Sequence, residues 1–165
     1  MRKQESGKSS DSCSPQLVVF KLDEHRYALH LAVVERIVRV VEVTPLPNAP
    51  DMVLGVVNIQ GSVIPVVNLR RRFRLRDLED DPAHRLILAR TSRRSVALVV
   101  DSAEGVIEPH RDDVTGAENI LPGLEYVEGV VKLHDGLLLI HDLDRFLSLD
   151  EEKELERILA ARDQK

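Results

Sequence analysis

The 165-residue chain has no tryptophan, and aromatic residues make up only 3% of it. A core here has to be built from Val, Leu and Ile, which suits strands. The one cysteine, Cys13, lies in a polar N-terminal stretch, which excludes an internal disulfide and fits a reducing compartment. No run approaches the ~18 apolar residues of a membrane span, and MRKQESGKSSDSCSP lacks the apolar segment of a secretory signal. These absences point to a cytoplasmic protein with no direct membrane insertion. The net charge of −5 weighs against nucleic acid as the main partner. Neither a G-x-S-x-G elbow nor a glycine-rich phosphate loop occurs.

What the chain does have is a duplication. Residues 54–73, LGVVNIQGSVIPVVNLRRRF, and 128–147, EGVVKLHDGLLLIHDLDRFL, share one pattern. A glycine is followed by an apolar strand, a polar turn, a second apolar strand and an Asn/Asp-Leu step. Gly55 falls on Gly129, 74 positions on, and the same shift carries Ile59 onto Leu133, Asn68 onto Asp142 and Arg71 onto Arg145. Upstream, LVVFKLDEHRYALHL (17–31) resembles LILARTSRRSVALVV (86–100), with Ala28-Leu29 on Ala97-Leu98. A repeat of such long period is a duplicated unit rather than a solenoid. Units of roughly 60–70 residues are marginal alone, because so much of their surface stays exposed. The halves, about 17–76 and 85–149 with a linker at 77–84, are therefore expected to share a core.

Residues 1–15, rich in Ser, Lys and acids, are expected to be a disordered tail. Strands are expected at about 17–22, 26–31, 53–60, 62–67, 85–91 and 95–100, and the β-branched stretch 33–43 also reads as strand. TPLPNAP, 44–50, is a stiff loop that cannot join a central sheet. Gln60-Gly61-Ser62 reads as a hairpin turn, and Pro65 marks an edge position or a bulge. Asn68 is placed to cap a turn at 69–73. Residues 101–125 read as loop, followed by a hairpin, 129–134 and 137–141, through Asp135-Gly136. SLDEEKELERILAAR reads as a helix, with Ser148 and Glu151 as a capping box and an apolar stripe of Leu155, Ile158 and Leu159. Residues 150–165 are thus assigned to a C-terminal helix and tail. The expected fold is all-β, two tandem small barrels with short helical turns.

Candidate chemistry is sparse. None of the six histidines forms an i,i+4 pair or partners a cysteine. His134 and His141 lie seven apart across a hairpin, which leaves a metal-dependent hydrolase as one alternative. His141-Asp142 resembles the paired ligands of HD-type phosphohydrolases, but those are helical enzymes, and Asp142 is matched by Asn68, which points to turn capping. Arg70, Arg71, Arg72, Arg74 and Arg76 form one basic cluster and Arg90, Arg93 and Arg94 another. RNA binding would ask for aromatic platforms beside them, and only Phe73 is near. The plainer reading is a solvated surface balanced by Asp77, Glu79, Asp80 and Asp81. A β protein with exposed edges and no catalytic constellation is an interaction module. No cofactor, metal or small-molecule ligand is expected, and no enzymatic activity.

Over residues 17–149 the sequence resembles the CheW family of chemotaxis coupling proteins. The resemblance is carried by LVVFKLDEHRYALHLAVVERI, TPLPNAPDMVLGVVNIQGSVIPVVNLRRRF, RLILARTSRRSVALVVDSAEGVIE and YVEGVVKLHDGLLLIHDLDRFL, in that order. It implies two five-stranded SH3-like barrels in a domain spanning 16–149. It also implies a scaffold that bridges methyl-accepting chemoreceptors, through their cytoplasmic tip, to the regulatory domain of a CheA-type histidine kinase, in arrays at the inner membrane. By resemblance, Val34 and Gly55 fall at receptor-groove positions, with Val106 and Gly129 in the second half. The hairpin of Asn58, Gln60 and Gly61 falls where the family writes N-L-R-G.

Two departures stand out. Gln60 replaces the usual arginine of N-L-R-G, and Arg36 stands where an acidic residue is common before Ile37. Glu35 is expected on the opposite face of its strand, so the ion pair these positions would form is absent. A Gln60–Arg36 hydrogen bond is the remaining way to pin the hairpin. Ala97 replaces a common glycine, and Arg85 opens a strand that is often apolar. Arg36, Arg85 and Ala97 are therefore candidates for altered partner specificity. Alternatives are an insulator that binds only one of the two partners and, from another class, a small-barrel nucleic-acid binder.

Overall fold

The computed structural model describes residues 15–73, 75–76, 82–116, 127–145 and 149–163. The tail at 1–14, most of the 77–84 linker and Ser148 of the expected capping box lie outside the described residues. The first half contributes β1 (Leu17–Leu22), β2 (His25–His30), β3 (Val34–Arg39), β4 (Val53–Ile59), β5 (Ser62–Val67) and a short helix α1 (Leu69–Arg72). The second contributes β6 (Arg85–Arg90), β7 (Ser95–Val100), β8 (Ser102–Ile107), β9 (Val114–Gly116), β10 (Val127–Leu133) and β11 (Gly136–His141). A turn of 3-10 helix, Leu143–Arg145, and the C-terminal helix α2 (Leu149–Asp163) follow.

The strands form a six-stranded sheet, β8-β1-β2-β11-β10-β9, and a five-stranded sheet, β3-β6-β7-β5-β4. Each sheet draws strands from both halves of the repeat. Hairpin β1–β2 joins β11 in parallel through Ile140↔Ala28, and hairpin β6–β7 joins β5 in parallel through Val66↔Ala97. These two pairs are the same pair under the repeat, so the halves have exchanged their first hairpins symmetrically. The expected five strands per barrel become six in one sheet because β9 pairs with β10. In the other sheet the matching residue, Thr44, makes only an isolated bridge to Val56.

The exchange explains why the hairpin strands read as nearly continuous apolar runs. Successive side chains point to opposite faces, and here both faces are covered. From β6, Leu86 and Leu88 enter the five-stranded barrel's interior with Ile64, Val66 and Ala97. Ile87 and Ala89 face the other way, into a larger core between the sheets. In the six-stranded sheet, Ala28 lies with Leu17, Val19 and Ile140, while Tyr27 and Leu29 enter the shared core. The expected common core is thus the largest of three clusters, and it also takes Leu155 of α2. Fully burying each such leucine stabilises by roughly 1.5–3 kcal/mol.

Residues 101–125, read from sequence as loop, contain β8 and β9. Strand β8 pairs antiparallel with β1, as β3 pairs with β6, and Glu104 is skipped there as Glu35 is in β3. Pro65 is not on an edge strand: it lies opposite Val56. The N–H and C=O of Val56 turn outward to Thr44, both at 2.8 Å, so the missing proline donor costs the β4–β5 ladder nothing.

Candidate functional site

The surface that could meet a partner consists of the outer strands, the hairpin turns and the hollows beside them. Ile37 and Val63 on the five-stranded barrel are large exposed aliphatics, as are Val106 and Leu137 on the six-stranded one. Val106 pairs with Val18 on β8, and Ile37 pairs with Ile87 on β3. The structural counterpart of Val106 is therefore Ile37. Val34, which the sequence reading matched with Val106, is half-buried against the shared core. It corresponds in register to Ala103.

Gly55 and Gly129 are both buried, and both sit where another backbone comes close. A Cβ on Gly55, whose φ is +157°, would lie 2.1 Å from the Thr44 carbonyl oxygen, and one on Gly129 would lie 2.9 Å from that of Thr115. The proline-rich segment and β9 dock over these glycines. Their immediate role is to admit a backbone.

The β4–β5 turn holds Gln60 (φ 53°) and Gly61 (φ 89°), the pair of positive φ values of a two-residue turn matched to strand twist. The Asn58 Oδ1 accepts the Gly61 N–H at 2.9 Å. Asn58 therefore pins the turn. In the other barrel the turn residues are His134 and Asp135, with Leu133 opposite Gly136, one position earlier than the expected Asp135-Gly136.

Arg36 and Gln60 do come together. With Glu35, Ser95 and Leu159 they line a hollow of about 400 Å³ at the mouth of the five-stranded barrel. Glu35 does not point to the opposite face, because the bulge between Val34 and Arg36 turns both onto the hollow. Its carboxylate accepts the Ser95 hydroxyl at 3.3 Å. No hydrogen bond joins Arg36 to Gln60 among the described residues. Arg85, half-buried at the start of β6, donates to the carbonyls of Ala83 and His84. Ala97 is fully buried between Leu88 and Val66.

Members of both arginine clusters have partners among the described residues. Asp77 and Glu79–Asp81 lie outside the described residues, and the partners come from distant elements. Buried Arg70 donates to Asp101 at 2.7 and 2.9 Å and reaches Asp23 at 2.8 Å. The Asp23 N–H also donates to Asp101, at 2.7 Å. The Arg70 hydrogen bond holds the Asp23 carboxyl below the usual carboxylate range. Burial opposes the charge of Arg70, but hydrogen bonds with Asp23 and Asp101 outweigh it and raise its pKa. Arg72 pairs with Glu151, and Arg94 with Glu152 and Glu156, tying α2 to the five-stranded barrel.

Across the repeat, Ser92 takes the place of Asp23 and Asp144 that of Arg70, and the Ser92 N–H donates to Asp144 at 2.7 Å. Each exchanged hairpin is thus clasped at its turn by a helical turn of the other barrel, β1–β2 by α1 after β5 and β6–β7 by Leu143–Arg145 after β11. Two of the expected caps are formed. Asn68 accepts from the Arg71 N–H, and Asp142 from the Asp144 N–H.

His134 sits in an exposed turn, and His141 is buried against Phe73 (4.5 Å between centroids) and Tyr27 (5.1 Å). They occupy opposite ends of a hairpin, roughly 20 Å apart by strand rise, which rules out a shared metal. No helix among the described residues is long and apolar enough to cross a membrane.

The model of the CheW-like domain matches residues 16–151. The chain is 32% identical over 149 residues to the chemotaxis protein CheW of Treponema pallidum, covering 87% of this chain and 86% of that one. It is 29% identical over 134 residues to CheW of Bacillus subtilis, covering 80% and 86%. The crystal structure of the scaffolding protein CheW from Thermoanaerobacter tengcongensis superposes with a TM-score of 0.76 at 26% identity, covering 84% of this chain and 95% of that one. With the domain matched almost end to end and the two-barrel architecture shared, this chain belongs to the CheW-like family.

Proposed function

We propose that this protein is a non-catalytic, cytoplasmic scaffold that couples chemoreceptors to the regulatory domain of a CheA-type histidine kinase. The observation that carries the reading is the match to chemotaxis CheW proteins across both barrels. The exposed aliphatics Ile37 and Val63 on one barrel and Val106 and Leu137 on the other support it, because a coupler needs two apolar faces. The receptor face is proposed at Val34 and Val106, with Gly55 and Gly129 shaping it through the backbones they admit. The kinase-facing hairpin is proposed at Asn58, Gln60 and Gly61. Arg36 and Arg85 would tune partner choice directly, and Ala97 only through packing.

The test is a pair of titrations of the purified chain, one against a CheA regulatory domain from the same genome and one against a soluble receptor signalling fragment. Saturable binding to both is expected. Silence in both, with folded protein, removes the adaptor role. The departure of Arg36 and Gln60 from the family pattern favours a second reading, an insulator, which predicts binding to one partner alone.

A further inference from the structure

The hollow at the five-stranded mouth has a twin of about 230 Å³ in the six-stranded barrel, lined by Val19, Arg26, Glu104, Leu133, His134 and Asp135. Under the repeat Glu104 matches Glu35, Val19 matches Leu88, Arg26 matches Ser95, Leu133 matches Ile59, and His134 matches Gln60. The two mouths are one site built twice with different charges.

In the six-stranded mouth the lining guanidinium, Arg26, meets a carboxylate of the same chain, and the lining carboxylate Glu104 has Lys21 outside the mouth beside it. Arg26 donates to Asp135 at 2.9 Å, and Lys21 lies 3.9 Å from Glu104. In the five-stranded mouth Ser95 stands for Arg26 and Gly61 for Asp135, so the turn brings no acid. The cation comes instead from Arg36, where the other barrel has Gly105. Among the described residues the Arg36 side chain makes no ion pair or hydrogen bond, while the other guanidinium there, Arg94, is held by Glu152 and Glu156. Leu88, Ile64 and Leu159 supply an apolar floor, and exposed Val63 flanks the opening. Arg36 lies on β3, the outer strand of its sheet.

We propose that this mouth receives one carboxylate, set among aliphatic residues on an extended segment of a protein partner, and that Arg36 binds it. The partner's acid takes the place that Asp135 fills in the twin. A guanidinium suits this role because it can hold a carboxylate through two parallel hydrogen bonds. Glu35, close by and already bonded to Ser95, repels a second acid, so polyanions are poor ligands. The inference rests on the partner being a protein, as the adaptor reading has it, and it names the chemistry by which that partner is recognised.

The test is an amide NMR titration of the full chain with the peptide Ac-Ser-Val-Glu-Leu-Ser-NH2 and with its Gln counterpart. The Glu peptide should shift the amides of Arg36, Gln60 and Ser95 and bind at least about tenfold tighter than the Gln peptide, a difference of about 1.4 kcal/mol. In Arg36→Gln the difference should vanish, and Arg36→Lys should restore part of it. Equal binding of the two peptides, discrimination that survives Arg36→Gln, or shifts confined to the His134 mouth would each overturn the proposal. In the partner titrations, Arg36→Gln should weaken one partner about tenfold. If both partners bind the wild type and the variant equally, the proposal falls and the adaptor reading stands. If neither binds the wild type, the adaptor reading falls, and the peptide pair still decides the mouth.

Discussion

At the six-stranded mouth, Arg26 and Asp135 bind two hairpins of one barrel to each other; at the matching place in the five-stranded mouth stand Ser95 and Gly61. The clasps differ in the opposite sense. The turn of hairpin β1–β2 is held to the helical turn of the other barrel by a buried guanidinium between two carboxylates; that of β6–β7 is held to its helical turn by one hydrogen bond to Asp144, with Arg94 of the same turn paired to α2. The two barrels share a backbone plan and a core, and they place their ionic contacts at different points of it. The lesson is that the repeat fixes architecture, while charge decides which openings stay closed within the molecule and which face outward.

The largest test of this comparison is of the shared core. Leu29→Ala and Leu98→Ala remove equivalent, fully buried side chains from opposite sides of one cluster. Each should cost about 3 kcal/mol. Urea unfolding should remain one transition in both variants, and two separable transitions would show barrels that unfold independently. Next come the glycines. Gly55→Ala should cost about 3 kcal/mol and Gly129→Ala about 1–2, because the Thr44 oxygen is nearer the added Cβ than the Thr115 oxygen. Equal losses, measured by denaturation, would mean that the loop at Thr44 yields as readily as β9.

The clasps should separate by a smaller margin. Arg70→Ala should cost about 2 kcal/mol, less than a fully buried pair because Asp23 is partly exposed. Asp144→Ala should cost about 1 kcal/mol. The smallest effect is a titration. The hydrogen bond from Arg26 holds Asp135 below the ordinary carboxylate range. A depressed carboxyl contributes stability above its unfolded value and loses it as pH falls through the folded one. The latch should therefore be intact at neutral pH, begin to weaken only below the ordinary carboxylate value of about 3.9, and be lost as pH falls through the lower folded value. An Asp135 side-chain carbon signal that titrates at or above the ordinary carboxylate value would mean the latch is not formed in solution.

Much of this was legible from sequence because the signals are local. The turn at Gln60, the second hairpin turn to within one position, the caps at Asn68 and Asp142 and the apolar stripe of α2 each depend on residues a few positions apart. The duplication itself showed in Gly55 and Gly129. Strand β8 was missed because SAEGVI carries a bulge and Gly105, which blur its alternation. The signal that could have found it was the repeat, since the 69-residue shift that matches Ala28 to Ala97 carries the end of VERIVR onto the end of β8. The hairpin exchange was not legible: Ala28 pairing with Ile140 leaves no mark near either residue. The acids that meet Arg70 and Arg94 were missed for the same reason, and the face of Glu35 because a bulge breaks the two-residue period.

The exchanged hairpins also set the order in which the chain can fold as it leaves the ribosome. The five-stranded sheet has all its strands once Val100 has emerged, whereas β2 must wait for β11, with Tyr27 opposite Leu139. The first hairpin synthesised is apolar on both faces and is among the last to find its neighbour. Pairings so distant in sequence are slow to form, and a two-faced apolar hairpin left waiting is prone to associate with another chain. Truncation ahead of Gly136 would therefore leave hairpin β1–β2 without its partner strand, as well as removing the residues that follow.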